Sequence, residues 1–211
     1  MAYVAIHQPN FLPWKGFFLK IRMCEIFVFL DDVPFSKGSY TNRTRLGDGW
    51  LTVPVLTKGR FGQLIRDVEI DNTRIWKKKH LRTIEQLFHN APHFNEIFPM
   101  IKEVYEMEWQ RLMDFNVELI KRICAYLGIE RRFVFSSDLN VPGKKEEKVL
   151  NIVKACGGDV YISGEGGKKY VDEGAFKREG IYLHFFSLPP SGSILPELME
   201  NGKKTLTLTP P

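Results

Sequence analysis

Toward both ends of the chain the apolar residues fall in short continuous runs, and through the middle they fall at helical spacing. Tyr3 to Ile6 is a run of the first kind. Phe17, Leu19 and Ile21 resume an apolar pattern in a helix predicted from Trp14 to Met23, and Glu25 to Leu30 forms the next run. Runs of this type, bounded by polar residues, are what strands buried on both faces show. Trp50 to Val55 and Leu64 to Ile70 read as an antiparallel pair, with Pro54 at an edge or strand end. From Thr73 to Leu127 the texture is helical. A first helix runs to His89, capped by Asn72 or Thr73, with Leu81, Ile84, Leu87 and Phe88 as its stripe; Pro92 and Pro99 then punctuate. Met100 to Leu127 follows as two segments or one bent helix ending at Gly128. The last third alternates again: strand Phe133 to Phe135, helix Lys144 to Cys156, strand Val160 to Ile162, and a final strand Tyr182 to Phe186.

This order predicts an α/β fold, a Rossmann-like and mostly parallel sheet with a helical insertion in the middle of the chain. At 211 residues the chain suits one domain, 1–211, with a helical subregion at about 73–128. In such a sheet ligands bind outside the carboxyl ends of the strands. His7 and Gln8 follow the first run directly, Asp31 and Asp32 end the second, and Ser163-Gly164 ends a later one. Parallel strands would gather these residues at one crevice. Adjacent carboxylates at a buried strand end must be hydrogen-bonded, paired or functional. The polar stretch from Pro34 to Gly49 reads as a binding loop in which Asn42 and Arg43 offer donors to an anion, while Lys37 and Arg45 read as solvated charges.

Ser163 to Tyr170, with Lys168 and Tyr170 following Gly164, reads as a strand-to-helix anion cradle, with a plain glycine-rich turn as the alternative. It is not a Walker A loop, because Lys168 is followed by Lys169 instead of a hydroxyl residue. The sequence carries a formal charge of +5 and a pI near 9.0. An anionic small molecule, a nucleotide or nucleotide-sugar, is the economical partner, and the dense basic blocks of nucleic-acid arms are lacking. The run Lys77-Lys78-Lys79 reads as a solvated face that, beside His80, would border an anion pocket. Cys24, Cys124 and Cys156 form neither a disulfide framework nor a zinc pattern. No dedicated metal site is assigned. A reducing, cytoplasmic location is expected, with no segment near the roughly 18 apolar residues a membrane span needs.

The motifs His7-Gln8-Pro9, Pro13-Trp14 with Gly16, Asp31-Asp32-Val33-Pro34-Phe35, Asn42-Arg43, Trp50 to Val55, and Tyr161-Ile162-Ser163-Gly164 with Tyr170 occur in that order. Together they resemble the WbqC-like family of bacterial O-antigen and other surface-polysaccharide gene clusters. The resemblance implies an enzyme that modifies a nucleotide-linked amino sugar by group transfer, such as acyl or aminoacyl transfer, as a transferase or an ATP-dependent ligase. On that reading His7 is the general acid/base, Asp31 or Asp32 its partner or a metal ligand, and Gln8, Asn42, Arg43, Ser163, Gly164, Lys168 and Tyr170 bind substrate. Trp14 would be a stacking platform or helix anchor. Trp14-Lys15-Gly16-Phe17 also stands where nucleotidyltransferases with a Rossmann-like core carry an H-x-G-H motif. Its histidines are absent, so the chemistry they carry there would fall to His7 and Lys15, with ATP and Mg2+ as the cofactors that such a parallel implies. The rival is a non-catalytic protein that binds a nucleotide, a nucleic acid or a protein partner.

Overall fold

A computed structural model describes residues 1–164, 167–168, 171–188 and 191–207. Two compact units divide the chain, and each draws on separated segments. The first unit comprises Met1–Gln8, Gly16–Asp32 and Glu130–Pro190. Its five-stranded sheet is built from β1 (Tyr3–His7), β2 (Ile26–Phe29), β5 (Arg132–Phe135), β6 (Val160–Gly164) and β7 (Tyr182–Phe186), in the order β5-β2-β1-β6-β7. Every pairing is parallel. This is the mostly parallel, Rossmann-like sheet that the apolar runs predict, and its strand order reverses between β1 and β6.

Because successive side chains point to opposite faces, each central strand supplies two cores. On one face Phe27 and Phe29 stack with Phe133 and Phe135, and Phe17 of α1 (Lys15–Met23) packs on Phe27. On the other, Val4, Ile6, Ile26, Val28 and Tyr161 bury against Ile152 and Val153 of α6 (Lys145–Ala155) and Phe176 of α7 (Glu173–Arg178). Gly158 closes the turn from α6 into β6. A Cβ there would lie 2.6 Å from Val4 Cγ2 and 2.9 Å from Val153 Cγ1, so only hydrogen fits between helix and sheet.

The second unit comprises Pro9–Lys15, Val33–Ile129 and Ser191–Pro211. Here the predicted strand pairing is corrected in part. β4 (Gly49–Thr52) pairs with β3 (Arg43–Leu46), and the predicted antiparallel contact with Leu64 to Ile70 is made just past β4, as the Val55–Ile70 bridge. Gly47, at φ +57°, and Asp48 connect Leu46 to Gly49 as a tight hairpin, a local signal that outweighs the more distant partner. Leu64 to Ile70 contains a short 3-10 turn, Ile65–Asp67, and contributes isolated bridges from Leu64, Glu69 and Ile70.

The helical insertion consists of α2 (Trp76–Phe88), α3 (Phe94–Glu106) and α4 (Leu112–Tyr126). The buried stripe of α2 is Trp76, His80 and Ile84, while Leu87 is 49% exposed, so the stripe is rotated from the predicted one. His80 drives that rotation: its Nδ1 lies 3.1 Å from the hydroxyl of the fully buried Tyr105. Neither Asn72 nor Thr73 caps α2; its N-cap is Ile75. Pro99 sits inside α3 instead of ending it. It costs one backbone bond, which the burial of Ile97, Ile101, Val104 and Tyr105 along the same helix outweighs. Among the described residues no helix is long and apolar enough to cross a membrane.

Replacing Gly158 by alanine is expected to destabilise the fold by about 1–3 kcal/mol through overpacking. Urea unfolding of the two proteins measures this, and equal midpoints would show that the turn can yield.

Candidate functional site

The carboxyl ends of the parallel strands carry the polar residues of the first unit. At the end of β2 the backbone turns polar without delay. Asp31 is 1% exposed, and its Oδ1 accepts from the Ser137 amide (3.0 Å) and the Ser136 hydroxyl (2.9 Å), while its Oδ2 accepts from the Ser137 hydroxyl (2.7 Å). These serines open α5 (Ser136–Leu139), the short helix that follows β5. Asp31 thereby stitches the end of β2 to the start of α5, as a carboxylate does at exposed helical N–H groups. The Ser136 hydroxyl also lies 2.5 Å from Asp32 Oδ1. With one proton to donate, it serves one carboxylate at a time.

Asp32 is held from the other side by Lys148 of α6, whose Nζ lies 2.6 Å from Oδ2. Burial raises the Asp32 pKa, but the hydrogen bonds from Lys148 and Ser136 and the lysine charge together outweigh it, so the carboxyl sits below its usual range.

His7 ends β1 one strand over. It is half-buried and meets Phe17 edge-on at 5.0 Å between ring centres. Nδ1 lies 2.9 Å from the Gln8 carbonyl, the contact of a neutral ring donating through Nδ1. Burial first, then the charge of Lys20, pulls its pKa down to about 3, against a smaller upward pull from the Gln8 bond.

Lys20, on α1, is 5% exposed and donates to the Ile6 carbonyl at 3.0 Å. Burial lowers its pKa to about 8, with Cys24 pulling weakly the other way. Among the described residues no carboxylate forms an ion pair with it. A lysine on the inward face of an apolar helix, four residues after Gly16 and four before Cys24, was visible in the sequence as Phe17-Phe18-Leu19-Lys20-Ile21 but carries no motif.

On the far side of β1, Ser163 is 1% exposed and its hydroxyl donates to the Gly164 carbonyl at 3.2 Å. A Cβ on Gly167 would collide with Ser163 Oγ, so residue 167 can lie against the serine only as glycine. His7 and Ser163 emerge on adjacent strands, beside the reversal of strand order. The ends of β2 and β6 are two strand spacings apart, about 10 Å. Lys168 is exposed, with Nζ 5.4 Å from the centre of the Phe185 ring, and Tyr170 lies outside the described residues.

Several predicted ligand residues belong to the second unit. Asn42 is 2% exposed; its Oδ1 accepts from the Gly38 amide (2.9 Å) and its Nδ2 donates to the Val53 carbonyl (3.2 Å), so both ends of the amide brace the loop. Arg43 lays its guanidinium over Trp50 at 4.2 Å. Trp14 and Lys15 are half-buried, with Lys15 the first residue of α1. The loop they end is tied within this unit: Asn116 Nδ2 donates to the carbonyls of Pro9 (2.8 Å) and Thr41 (2.7 Å), and the Phe11 amide donates to the Tyr40 carbonyl (2.9 Å). Cys24, Cys124 and Cys156 are free thiols, and burial pushes the Cys24 thiol up to about 12.

Sequence reasoning therefore located His7, Gln8, Asp31, Asp32, Ser163 and Gly164 at the edge of one sheet. It did not find Lys20, Ser136, Ser137 or Lys148, which act through contacts over 14 residues or more in sequence.

A five-stranded parallel sheet with helices packed on its strands defines an α/β protein of the Rossmann-like kind. The chain belongs to the WbqC-like protein family, which matches residues 8–192. It is similar to the uncharacterized protein Rv1507c of Mycobacterium tuberculosis, 37% identical over 191 residues, which span 88% of this chain and 82% of that one. No solved structure matches the chain.

Two outcomes follow from these electrostatics. Lys148→Met leaves Asp32 without its cation and is expected to cost about 2 kcal/mol at neutral pH. The pair's contribution, present above the unfolded aspartate pKa, fades as pH falls through the depressed folded value, so the gap between wild type and variant should close in acid; parallel urea curves at pH 7 and pH 3 test this. His7 and His80, whose own pKa burial lowers to about 4, both stay neutral in the folded chain. Below pH 6.5 the unfolded chain binds protons that the folded chain does not, so stability should fall as pH drops from 6.5 toward 4, by up to ~1.4 kcal/mol per pH unit for each group. His80→Gln should flatten that slope in thermal melts.

Proposed function

We propose that this chain is an enzyme of surface-polysaccharide precursor synthesis that transfers an acyl or aminoacyl group to the amine of a nucleotide-linked amino sugar. The family suggests a polysaccharide gene-cluster context. The observation that carries the reading is the reversal of strand order between β1 and β6, which sets His7-Gln8 beside Ser163-Gly164 at the point where α/β sheets take their ligands.

On this reading the nucleotide-sugar lies over the carboxyl edge of the sheet, with Gly164, where a Cβ would meet nothing within 4 Å, admitting its phosphates close to the backbone and Lys168 at the rim. The sugar amine attacks the carbonyl carbon of an activated acyl donor. A C–N bond forms, the bond to the leaving group breaks, and His7 takes the proton from the amine and passes it to the leaving group. His7 is unprotonated at neutral pH, first through burial and then through the Lys20 charge, so it can accept the proton, although both effects also weaken it as a base.

Asp31 and Asp32 serve as positioning groups in this scheme, because their oxygens are engaged by Ser136, Ser137 and Lys148. Among the described residues no group of three metal-ligating side chains is gathered. With both carboxylates committed to the protein, they do not fit a Mg2+ ligand set, and no step is routed through ATP or its metal.

The test is binding and turnover with nucleoside-diphospho-amino-sugars. A ligand at about 100 times its Kd should stabilise the chain by roughly 2.7 kcal/mol, an easily read thermal shift. His7→Ala should keep most of that shift and lose turnover by about 100-fold or more. Lys20→Met should raise the His7 pKa, moving the acid limb of kcat/KM upward. Turnover that survives His7→Ala, or stabilisation by nucleic acid and by no nucleotide, would remove the enzyme reading.

A further inference from the structure

The second unit contains a basic groove that this reaction scheme does not use. A hollow of about 350 Å³ is lined by Lys37, Thr52, Arg74, Trp76 and Lys79, with Pro54 and Val55 along one wall. That volume lies at the small end of ligand pockets, which typically combine an apolar wall with a few convergent polar groups. A second hollow of about 330 Å³ shares Lys37, Val55, Asp71 and Arg74 with the first and adds Lys58 and Arg60.

The charges in the groove are unbalanced. Asp71 is the carboxylate of both hollows, and it is already engaged: the Arg74 Nε lies 2.9 Å from its Oδ2 and the Thr73 hydroxyl bonds its Oδ1. Arg60 is held by Glu69, at 3.0 Å. Lys37 and Lys79 are exposed, and among the described residues neither has an ion-pair partner. Two unpaired ammonium groups face one small hollow from separate elements, Lys37 from the turn before β3 and Lys79 from α2. Solvated lysines repel one another and normally spread apart, so a shared hollow is a place where an anion would neutralise both.

The hollow is also firm where it needs to be. Its floor is Trp76, 5% exposed, which packs on His80 and Tyr105. Asn42 also lines it, buried and braced at both ends of its amide. Backbone and floor are thus preset, and only the lysine tips need to order on binding, which limits the entropy cost.

We infer that this groove is a binding site for a phosphorylated sugar, with the phosphate between Lys37 and Lys79 and the ring against the wall of Pro54, Val55 and Trp76. The anion is assigned by the lysines. The saccharide rests on the polysaccharide reading given above, together with a hollow that has an apolar wall and a hydroxyl at Thr52.

Calorimetric titration of the full chain with a hexose 1-phosphate, inorganic phosphate and the neutral hexose tests it, using wild type, Lys37→Ala, Lys79→Ala and His7→Ala. Circular dichroism melts check that the variants, altered at exposed lysines, remain folded. The expected result is hexose-phosphate binding that weakens with added salt and drops about tenfold or more in each lysine variant, the loss of one charge-assisted contact. It should be unchanged in His7→Ala, which separates this site from the sheet edge. Hexose-phosphate binding unaffected by both lysine variants, or lost with His7, would overturn the site. Inorganic phosphate bound as tightly as the hexose phosphate, or no binding at millimolar concentration, would overturn the saccharide assignment.

Discussion

The strand Tyr3–His7 is hydrogen-bonded on both edges, to β2 and to β6, and covered on both faces. A strand in that position can carry no polar side chain along its length without burying an unsatisfied group. Val4, Ala5 and Ile6 are 0–5% exposed as a result, and polarity resumes only at His7. The same rule applied to β2 places Asp31 and Asp32 past Phe29 and Leu30, beyond the last residue of the strand. Parallel pairing then aligns these polar ends on one side of the sheet, so the location of the candidate chemistry follows from the burial of the strands.

Polar groups at a buried edge need partners, and the partners here come from two sources. Asp31 is satisfied by the first residues of a helix, whose N–H groups need an acceptor, and Asp32 by a lysine one helix further along. Lys20 and His7 are resolved differently. They are close enough for the lysine charge to suppress protonation of the imidazole, and burial lowers the pKa of both. One cation is retained and the second is not formed, which is the cheaper state in a low-dielectric setting.

The second unit is held by side-chain amides to an unusual degree. Asn116 gathers the carbonyls of Pro9 and Thr41, and Asn42 joins Gly38 to Val53. Each bridges loop segments that have no regular pairing of their own, so a buried amide supplies what a strand partner would supply elsewhere. Arg43 stacks on Trp50 in the same region. Residues that look like ligand donors in a linear reading can be absorbed in this way by the loop they belong to.

The sequence by itself determined the elements whose signal is local. Continuous apolar runs marked the five parallel strands, helical spacing marked α4 and α6, and the step from apolar to polar marked His7, Asp31, Asp32 and Ser163. The Gly47-Asp48 turn of the hairpin is a local signal too, whereas the apolar alternation of Leu64 to Ile70 points to a more distant partner that bridges the chain just past β4, at Val55. What only the tertiary structure decided were the pairings between residues far apart in the chain: Lys148 with Asp32, Ser136 and Ser137 with Asp31, Lys20 with Ile6, and the lysines around one hollow. No periodicity encodes these, because each depends on where two elements come to rest after packing. The buried stripe of α2 shows the reason most directly. A histidine reads as polar in any local pattern, yet it is 6% exposed, since bonding to Tyr105 satisfies the ring that burial would otherwise leave unpaired.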